Sequence, residues 1–110
     1  MANTYKTAAQ LNPSASTWST LYTVPSSTQT VISNIHVCNY GNDQATFRIA
    51  LRPNAESLTT KHYVFYGLNI GSLDTIQLGD GITMDSSDLL DVWASTASVS
   101  FNMSYAEVTE

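Results

Sequence analysis

Charged residues are scarce in this sequence. Only 12% of its 110 residues are Asp, Glu, Lys or Arg, about half the share of a typical soluble domain. Ser and Thr take their place, with 28 residues between them. Nine acidic residues outnumber four basic ones, Lys6, Arg48, Arg52 and Lys61, so the net charge is −5. A basic stripe that neutralises nucleic-acid phosphates is therefore excluded, and attachment to an anionic membrane surface is disfavoured.

Cysteine and long apolar runs are also lacking. The single Cys38 excludes an intramolecular disulfide, and we expect it to be a small buried residue, since free cysteine is among the most buried types. No apolar run approaches the roughly 20 residues that span a bilayer. The first residues lack the apolar centre of a secretion signal. We therefore expect synthesis in a host cytoplasm and no membrane partner.

No strong catalytic or metal-binding motif is present. His36 and Cys38 share a strand face and His62 is a distant third candidate, whereas structural zinc usually takes four ligands in close pairs. Nucleophile elbows and glycine-rich phosphate loops are missing too. We predict a protein that is not an enzyme, with no cofactor, no metal and no small-molecule ligand.

Aspartates are frequent in the second half of the chain, at or beside predicted turns. They are Asp74, Asp80, Asp85, Asp88 and Asp91. We interpret them as residues that cap turns through bonds from side chain to backbone. A divalent cation held by their oxygens is the alternative.

Strict two-residue alternation is what the sequence does contain. In the segment Ala97–Tyr105, the apolar residues Val99, Phe101 and Met103 alternate with Ser and Asn. Successive residues of a strand face opposite sides of a sheet, so this pattern predicts a strand with one buried face. Further strands are predicted at Trp18–Val24, Gln29–Asn39, Gln44–Arg52, His62–Leu68, Leu73–Leu78 and Leu89–Ser95.

Short polar turns separate these strands at intervals of about 8–12 residues, which is typical of all-β sandwiches and barrels. We predict an all-β protein with a single antiparallel β-sandwich, Ig-like or jelly-roll-like, of about seven or eight short strands. Residues 1–17 are predicted to form an N-terminal arm, either extended or a short edge strand, and residues 18–110 the sandwich domain. Within the sandwich, we place Val31 on the same face as Ile35 and Val37.

Large aromatic residues mark a candidate interface. Both faces of the segment His62–Leu68 look apolar, which indicates a central strand or an interface strand. The candidate interface residues are these aromatics and two outward arginines: Trp18, Arg48, Arg52, Tyr63, Phe65, Tyr66 and Trp93. Tyr, Trp and Arg are enriched at protein interfaces. A sugar-binding platform is the alternative.

A family resemblance covers the region from Leu21 to Val108. The residues that carry it are Tyr22–Pro25, Val37–Asn39, Thr46–Pro53, Lys61–Tyr63, Asp74–Ile76, Gly81–Thr83 and Val92–Thr96. In these segments the chain resembles small β-sandwich virion proteins of tailed bacteriophages. The resemblance implies a capsid decoration (cement) protein that self-associates, as a trimer, and binds the major capsid protein at the capsid surface. The alternative is a small tail, baseplate or fibre-attachment module that binds a glycan or a host receptor.

Overall fold

Nearly all regular structure in this protein is β-strand. The structure, a computed structural model, describes the backbone of residues 2–79 and 81–109 and the side chains from residue 9 onward. Nine strands lie in this part of the chain: β1 (Ala2–Leu11), β2 (Ser19–Thr23), β3 (Thr28–Asn39), β4 (Ala45–Arg52), β5 (Tyr63–Ile70), β6 (Asp74–Leu78), β7 (Thr83–Met84), β8 (Leu89–Ala94) and β9 (Val99–Thr109). Two short 3₁₀ turns, Pro53–Ala55 and Thr60–His62, connect β4 to β5.

The strands pair in a nested antiparallel order. β1 pairs with β9, β2 with β8, β3 with β6, and β4 with β5. The result is a five-stranded sheet A, in the order β1-β9-β3-β6 with β7 beside β3, and a four-stranded sheet B, in the order β2-β8-β4-β5. This is the order of a jelly roll and differs from that of an Ig-like sandwich. The predicted all-β antiparallel sandwich is confirmed.

The core lies between the two sheets, as the alternating residues predict. Val99, Phe101 and Met103 on β9 are at most 1% exposed. Across the sandwich, the ring of Phe47 on β4 meets the ring of Phe101 edge-on, with 6.1 Å between centroids. Edge-to-face contact is a favourable geometry for two buried aromatic rings, so this pair ties the middle of sheet A to the middle of sheet B.

One face assignment in β3 is wrong. The register of β3 against β9 shifts between Ile32 and Asn34. An extra residue in a bulge moves the alternation by one position, so residues on either side of it exchange faces. Val31 is therefore 41% exposed, whereas Ile35 and Val37 are buried.

The same exchange of faces decides the surroundings of Cys38. Cys38 comes after the bulge, where the even-numbered residues of β3 point away from the core. His36 lies on the same face. Cys38 is half-buried rather than fully buried, so its predicted burial is wrong. Its neighbours across the strands are Ser100 and Thr75.

The N-terminal segment is an edge strand of sheet A. β1 runs antiparallel to β9, from Ala2 opposite Thr109 to Leu11 opposite Phe101. Of the two forms expected for this segment, the edge strand is the one that the structure contains. Met1 lies outside the described residues. The domain division into residues 1–17 and 18–110 stays a prediction.

A buried polar cluster joins β2 to sheet A. The Tyr22 hydroxyl donates a hydrogen bond to the Glu107 carboxylate and lies 2.8 Å from Oγ1 of Thr30. All three residues are buried. Burial, and then the hydrogen bond to Glu107, raise the pKa of Tyr22 above its ordinary value of 10.0. The folded protein therefore holds the Tyr22 proton more tightly than the unfolded chain does.

We expect the stability of the protein to fall at alkaline pH because of this tyrosine. The contribution of Tyr22 to the free energy of unfolding is fully present below the pKa that it has in the unfolded chain. It is lost as the pH rises from about 10 towards the higher pKa of the folded protein, by up to about 1.4 kcal/mol per pH unit. Urea unfolding from about pH 8 to 11.5 measures this slope, and the substitution Tyr22→Phe should flatten it. The control is Tyr40→Phe, at an exposed site. A slope that survives Tyr22→Phe unchanged would contradict the assignment.

Candidate functional site

The outer face of sheet B carries a cluster of large aromatic rings around an arginine. Trp93 on β8 lies opposite Arg48 on β4, and Arg48 lies opposite Tyr66 on β5. Residues directly opposite on one face of a sheet are in side-chain contact range. We define the aromatic platform as these three residues together with Trp18 and Tyr63.

Of two irregularities in β5, the one at Val64 brings both tyrosines to this face. The register of β5 against β4 shifts at Val64 and again at Gly67, which has a φ of +74°. Tyr63 and Tyr66 are three residues apart and would otherwise point to opposite faces. Instead, their ring centroids lie 4.5 Å apart, and the ring of Trp18 stacks on that of Tyr63 at 6.0 Å. The platform is thus continuous from the residue before β2 to β5.

Arg48 is held between two rings. Its guanidinium carbon is 3.8 Å from the centroid of Trp93 and 4.2 Å from that of Tyr66, a cation–π geometry. Its Nε is buried with no hydrogen-bond partner, the one such side-chain atom in the part of the chain that the structure describes. A guanidinium that is positioned by stacking but unpaired in charge is suited to bind a carboxylate, which it matches in planar, bidentate geometry.

Arg52 lies on the same face, but its guanidinium already has hydrogen-bond acceptors within the chain. Its Nε donates to Oδ2 of Asp91 at 2.7 Å, and its Nη1 donates to the backbone oxygen of Glu56 at 3.0 Å. Asp91 is only 4% exposed and also accepts a hydrogen bond from the Thr20 hydroxyl at 2.9 Å. Arg52 therefore neutralises a buried carboxylate on the outer face of sheet B.

The structure brings together five of the seven candidate interface residues and separates two. Phe65 lies opposite Ile49 and packs against the core from the rim of sheet B, and Arg52 is paired with Asp91. The segment that contains Phe65 is the edge strand of sheet B, not a central strand. An interface role for the seven residues stays a prediction.

A cleft beside the platform was not predicted from the sequence. It has a volume of about 360 Å³ and is lined by Leu51, Pro53, Glu56, Lys61, His62, Tyr63 and Val64. It forms because the two 3₁₀ turns between β4 and β5 fold over the end of sheet B, an arrangement that no local sequence pattern signals. Its lining combines apolar side chains with a carboxylate, an ammonium group and an imidazole.

A buried histidine organises the polar side of this cleft. His62 is 4% exposed, and its Nδ1 accepts the backbone N–H of Thr59 at 3.0 Å. Its Nε2 lies 3.3 Å from Oε1 of Glu56, and Nζ of Lys61 lies 3.3 Å from the same oxygen. The hydrogen bonds from His62 and Lys61 hold the pKa of Glu56 below its usual range. Glu56 is therefore an ionised, positioned carboxylate at the mouth of the cleft.

The aspartates of the second half contact backbone amides in turns. Asp74 accepts the N–H of Thr75 at 2.8 Å, and Asp88 accepts the N–H of Asp85 at 2.9 Å. This is the turn chemistry expected for aspartate; Asp91, paired with Arg52, is the exception, and Asp80 lies outside the described residues. Within residues 2–79 and 81–109, no three His, Cys, Asp or Glu side chains come together in a group that could hold a metal ion.

Fold and surface together define this chain as a jelly-roll sandwich with an aromatic platform on its four-stranded sheet. In the described ranges, no helix has the length and apolar character needed to cross a membrane.

No family model matches the chain, and no curated protein sequence matches it.

Among solved structures, the chain is similar to a chain in the structure of infectious bursal disease virus, Gx strain. The TM-score is 0.56 and the sequence identity is 13%, over 96% of this chain and 31% of that chain. At this identity, the likeness shows the fold alone.

Proposed function

We propose that this protein is a non-enzymatic structural component of a virus particle. The observation that carries the proposal is the aromatic platform, four large rings gathered around Arg48 on an outer sheet face. Aromatic residues and Arg are enriched in protein interfaces, and Lys, Glu and Asp are depleted there. The jelly roll is the sandwich of many viral capsid domains, and the neighbour of similar fold belongs to a virus structure.

More specifically, we propose a capsid decoration protein of a tailed bacteriophage. The resemblance to small phage virion proteins supports this, with the capsid surface as the site of action and the major capsid protein as the partner. The mechanism is adhesive. Each copy buries a patch of standard size, about 800 Å² per partner, and self-association, as a trimer, adds avidity. Trp18, Tyr63, Tyr66 and Trp93 serve as the anchors, since hot spots are enriched in Trp and Tyr.

A second candidate function is favoured by the cleft beside the platform. Jelly rolls also form lectin domains, and sugar sites combine an aromatic face with polar groups. Tyr63 borders the cleft that holds the Glu56 carboxylate and the Lys61 ammonium group. This arrangement suits a tail, baseplate or fibre-attachment module that binds a glycan or a host receptor.

Immunogold electron microscopy of virus particles from cultures that express this chain tests both candidates. We expect gold over the surface of the head. Label on the tail, together with retention of the protein on a glycan array, would replace the decoration role with the receptor-binding one. Particles without label would overturn a virion role altogether.

Binding to capsid shells tests the platform itself. In co-sedimentation with shells stripped of this protein, we expect Tyr66→Ala to weaken binding about 30-fold or more, because losing a hot spot of the platform also removes the avidity that self-association adds. The matched control is Tyr40→Ala, since Tyr40 is as exposed as Tyr66, at 55%, but lies outside the platform. Equal binding by the two variants would contradict the role of the platform.

A further inference from the structure

We infer that the aromatic platform binds the β5–β6 turn of a second copy of this chain, with Asp74 of that copy on Arg48. The inference rests on the self-association part of the proposed function and names the two surfaces that would carry it. It does not depend on the particle in which the protein is found.

The first surface presents a cation that has no ion-pair partner among the described residues. The guanidinium of Arg48 is fixed against Trp93 and Tyr66, and its buried Nε has no partner among the described residues. Such atoms are rare in folded proteins. Arg52, four residues along the same strand, has the carboxylate of Asp91. The comparison indicates that Arg48 lacks a carboxylate among the described residues. One from outside the chain would pair with the terminal Nη groups of the guanidinium, because Nε itself is closed off from solvent.

The second surface is a protruding turn that pairs an apolar side chain with a carboxylate. Leu73 is 73% exposed, more than any other large hydrophobic residue of the described chain. Its φ is 55°, a left-handed conformation that costs about 1 kcal/mol or more outside glycine. Its N–H bonds to the backbone oxygen of Gly41 at 3.2 Å, which holds the turn in place. The Leu73 side chain is not among the described hydrophobic side chains that pack on the core.

Asp74 supplies the charge on this turn. It is exposed, and its Oδ1 accepts the N–H of Thr75. Its Oδ2 has no hydrogen bond or ion pair to a described residue. The turn therefore offers an oriented carboxylate next to an apolar knob, which is what a stacked arginine bordered by aromatic rings can accept.

Charge complementarity selects a second copy as the occupant. The chain has a net charge of −5, and in the described structure it leaves Arg48 without an acid and several exposed carboxylates, Asp74 among them, without a base. Asp74 is the one that lies beside the exposed Leu73. Contact between copies would pair the two charges with each other and place Leu73 against the edge of the Tyr66 ring. Because the two patches differ, the contact is head-to-tail, and such contacts close into rings when the rotation permits.

Self-association of purified variants tests the inference. By sedimentation equilibrium, we expect a discrete oligomer for the unmodified chain. Arg48→Gln and Asp74→Asn should each raise the dissociation constant at least tenfold, since each leaves the other group unpaired. Asp85→Asn is the control, because it removes the same charge as Asp74→Asn from an exposed residue elsewhere.

Leu73→Asn separates loss of contact from loss of folding. Asn tolerates a positive φ better than Leu, so this variant should be at least as stable as the unmodified chain on thermal unfolding, yet associate at least tenfold more weakly. A charge exchange completes the design. Arg48→Asp and Asp74→Arg should each abolish association when present alone, and combining both in one chain should restore it, because every head-to-tail contact then again joins an acid to a base.

The inference is overturned if the unmodified chain stays monomeric up to millimolar concentration. It is equally overturned if the oligomer forms but Arg48→Gln and Asp74→Asn leave it unchanged, or if Arg48 is needed only to bind an acidic oligosaccharide. None of these results alters the immunogold position on the particle. Failure of the inference is therefore distinguishable from failure of the proposed virion role.

Discussion

Replacing Phe101 with alanine is expected to lower the free energy of unfolding by about 3–5 kcal/mol. Phe101 is fully buried near the start of β9, a central strand of sheet A, and meets Phe47 from the opposite sheet. Its removal leaves a cavity between two hydrogen-bonded sheets, which have little freedom to collapse into it. Domains of this size are stable by about 5–15 kcal/mol, so the variant should be marginally folded. Urea unfolding by fluorescence measures the loss, with an unchanged dependence on urea concentration.

Phe65→Ala is the control for this prediction, because it removes the same side chain from the rim of the core. Phe65 is half-buried, so the loss should be smaller, about 1–2 kcal/mol. An equal loss at Phe65 and Phe101 would contradict the position of the core between the middles of the two sheets.

Arg52→Ala is expected to destabilise the protein by about 3–5 kcal/mol, although Arg52 is near the surface. The substitution removes the 2.7 Å ion pair and leaves the Asp91 carboxylate, 4% exposed, with the Thr20 hydroxyl. An uncompensated buried charge is costly, and this cost dominates the expected loss. Chemical unfolding at neutral pH measures it.

Two variants give this prediction its controls. Lys61→Ala removes the exposed ion pair with Glu56 and should cost at most about 1 kcal/mol. The double replacement of Arg52 by Met and Asp91 by Leu removes both charges and should recover most of the loss. A stability of Arg52→Ala within about 1 kcal/mol of the unmodified chain would show that the pair contributes little.

Local alternation was enough to predict the strands that line the core. Val99, Phe101 and Met103 are buried as their spacing predicts. In a strand with one solvent-exposed face, every second residue is apolar and points into the core. The exposure of Val31 was not predictable in this way. It depends on a bulge in β3 that is defined only against β9, a strand some 70 residues away along the chain, and no local pattern reports that register.

The candidate surface was predictable in composition but not in detail. Tyr66 and Trp93 were recognisable as large aromatics on strands, whereas their convergence on Arg48 needs the pairing of β4 with both β5 and β8. The separation of Phe65 from Tyr66 follows from ordinary strand alternation, because no register shift lies between these two consecutive residues. The pairing of Arg52 with Asp91 joins residues 39 positions apart, so it too depends on the packing of strands.

The long pairing of β1 with β9 decides how the domain responds to mechanical force. Ala2 lies opposite Thr109, and Leu11 lies opposite Phe101, so residues 2 and 109 sit side by side at one end of sheet A. A pull applied at these two points loads the backbone bonds one after another, as in opening a zipper. A pull between residues 11 and 109 loads them together, in shear. The domain should therefore yield readily when tethered through both ends and resist when tension enters through the loop after β1.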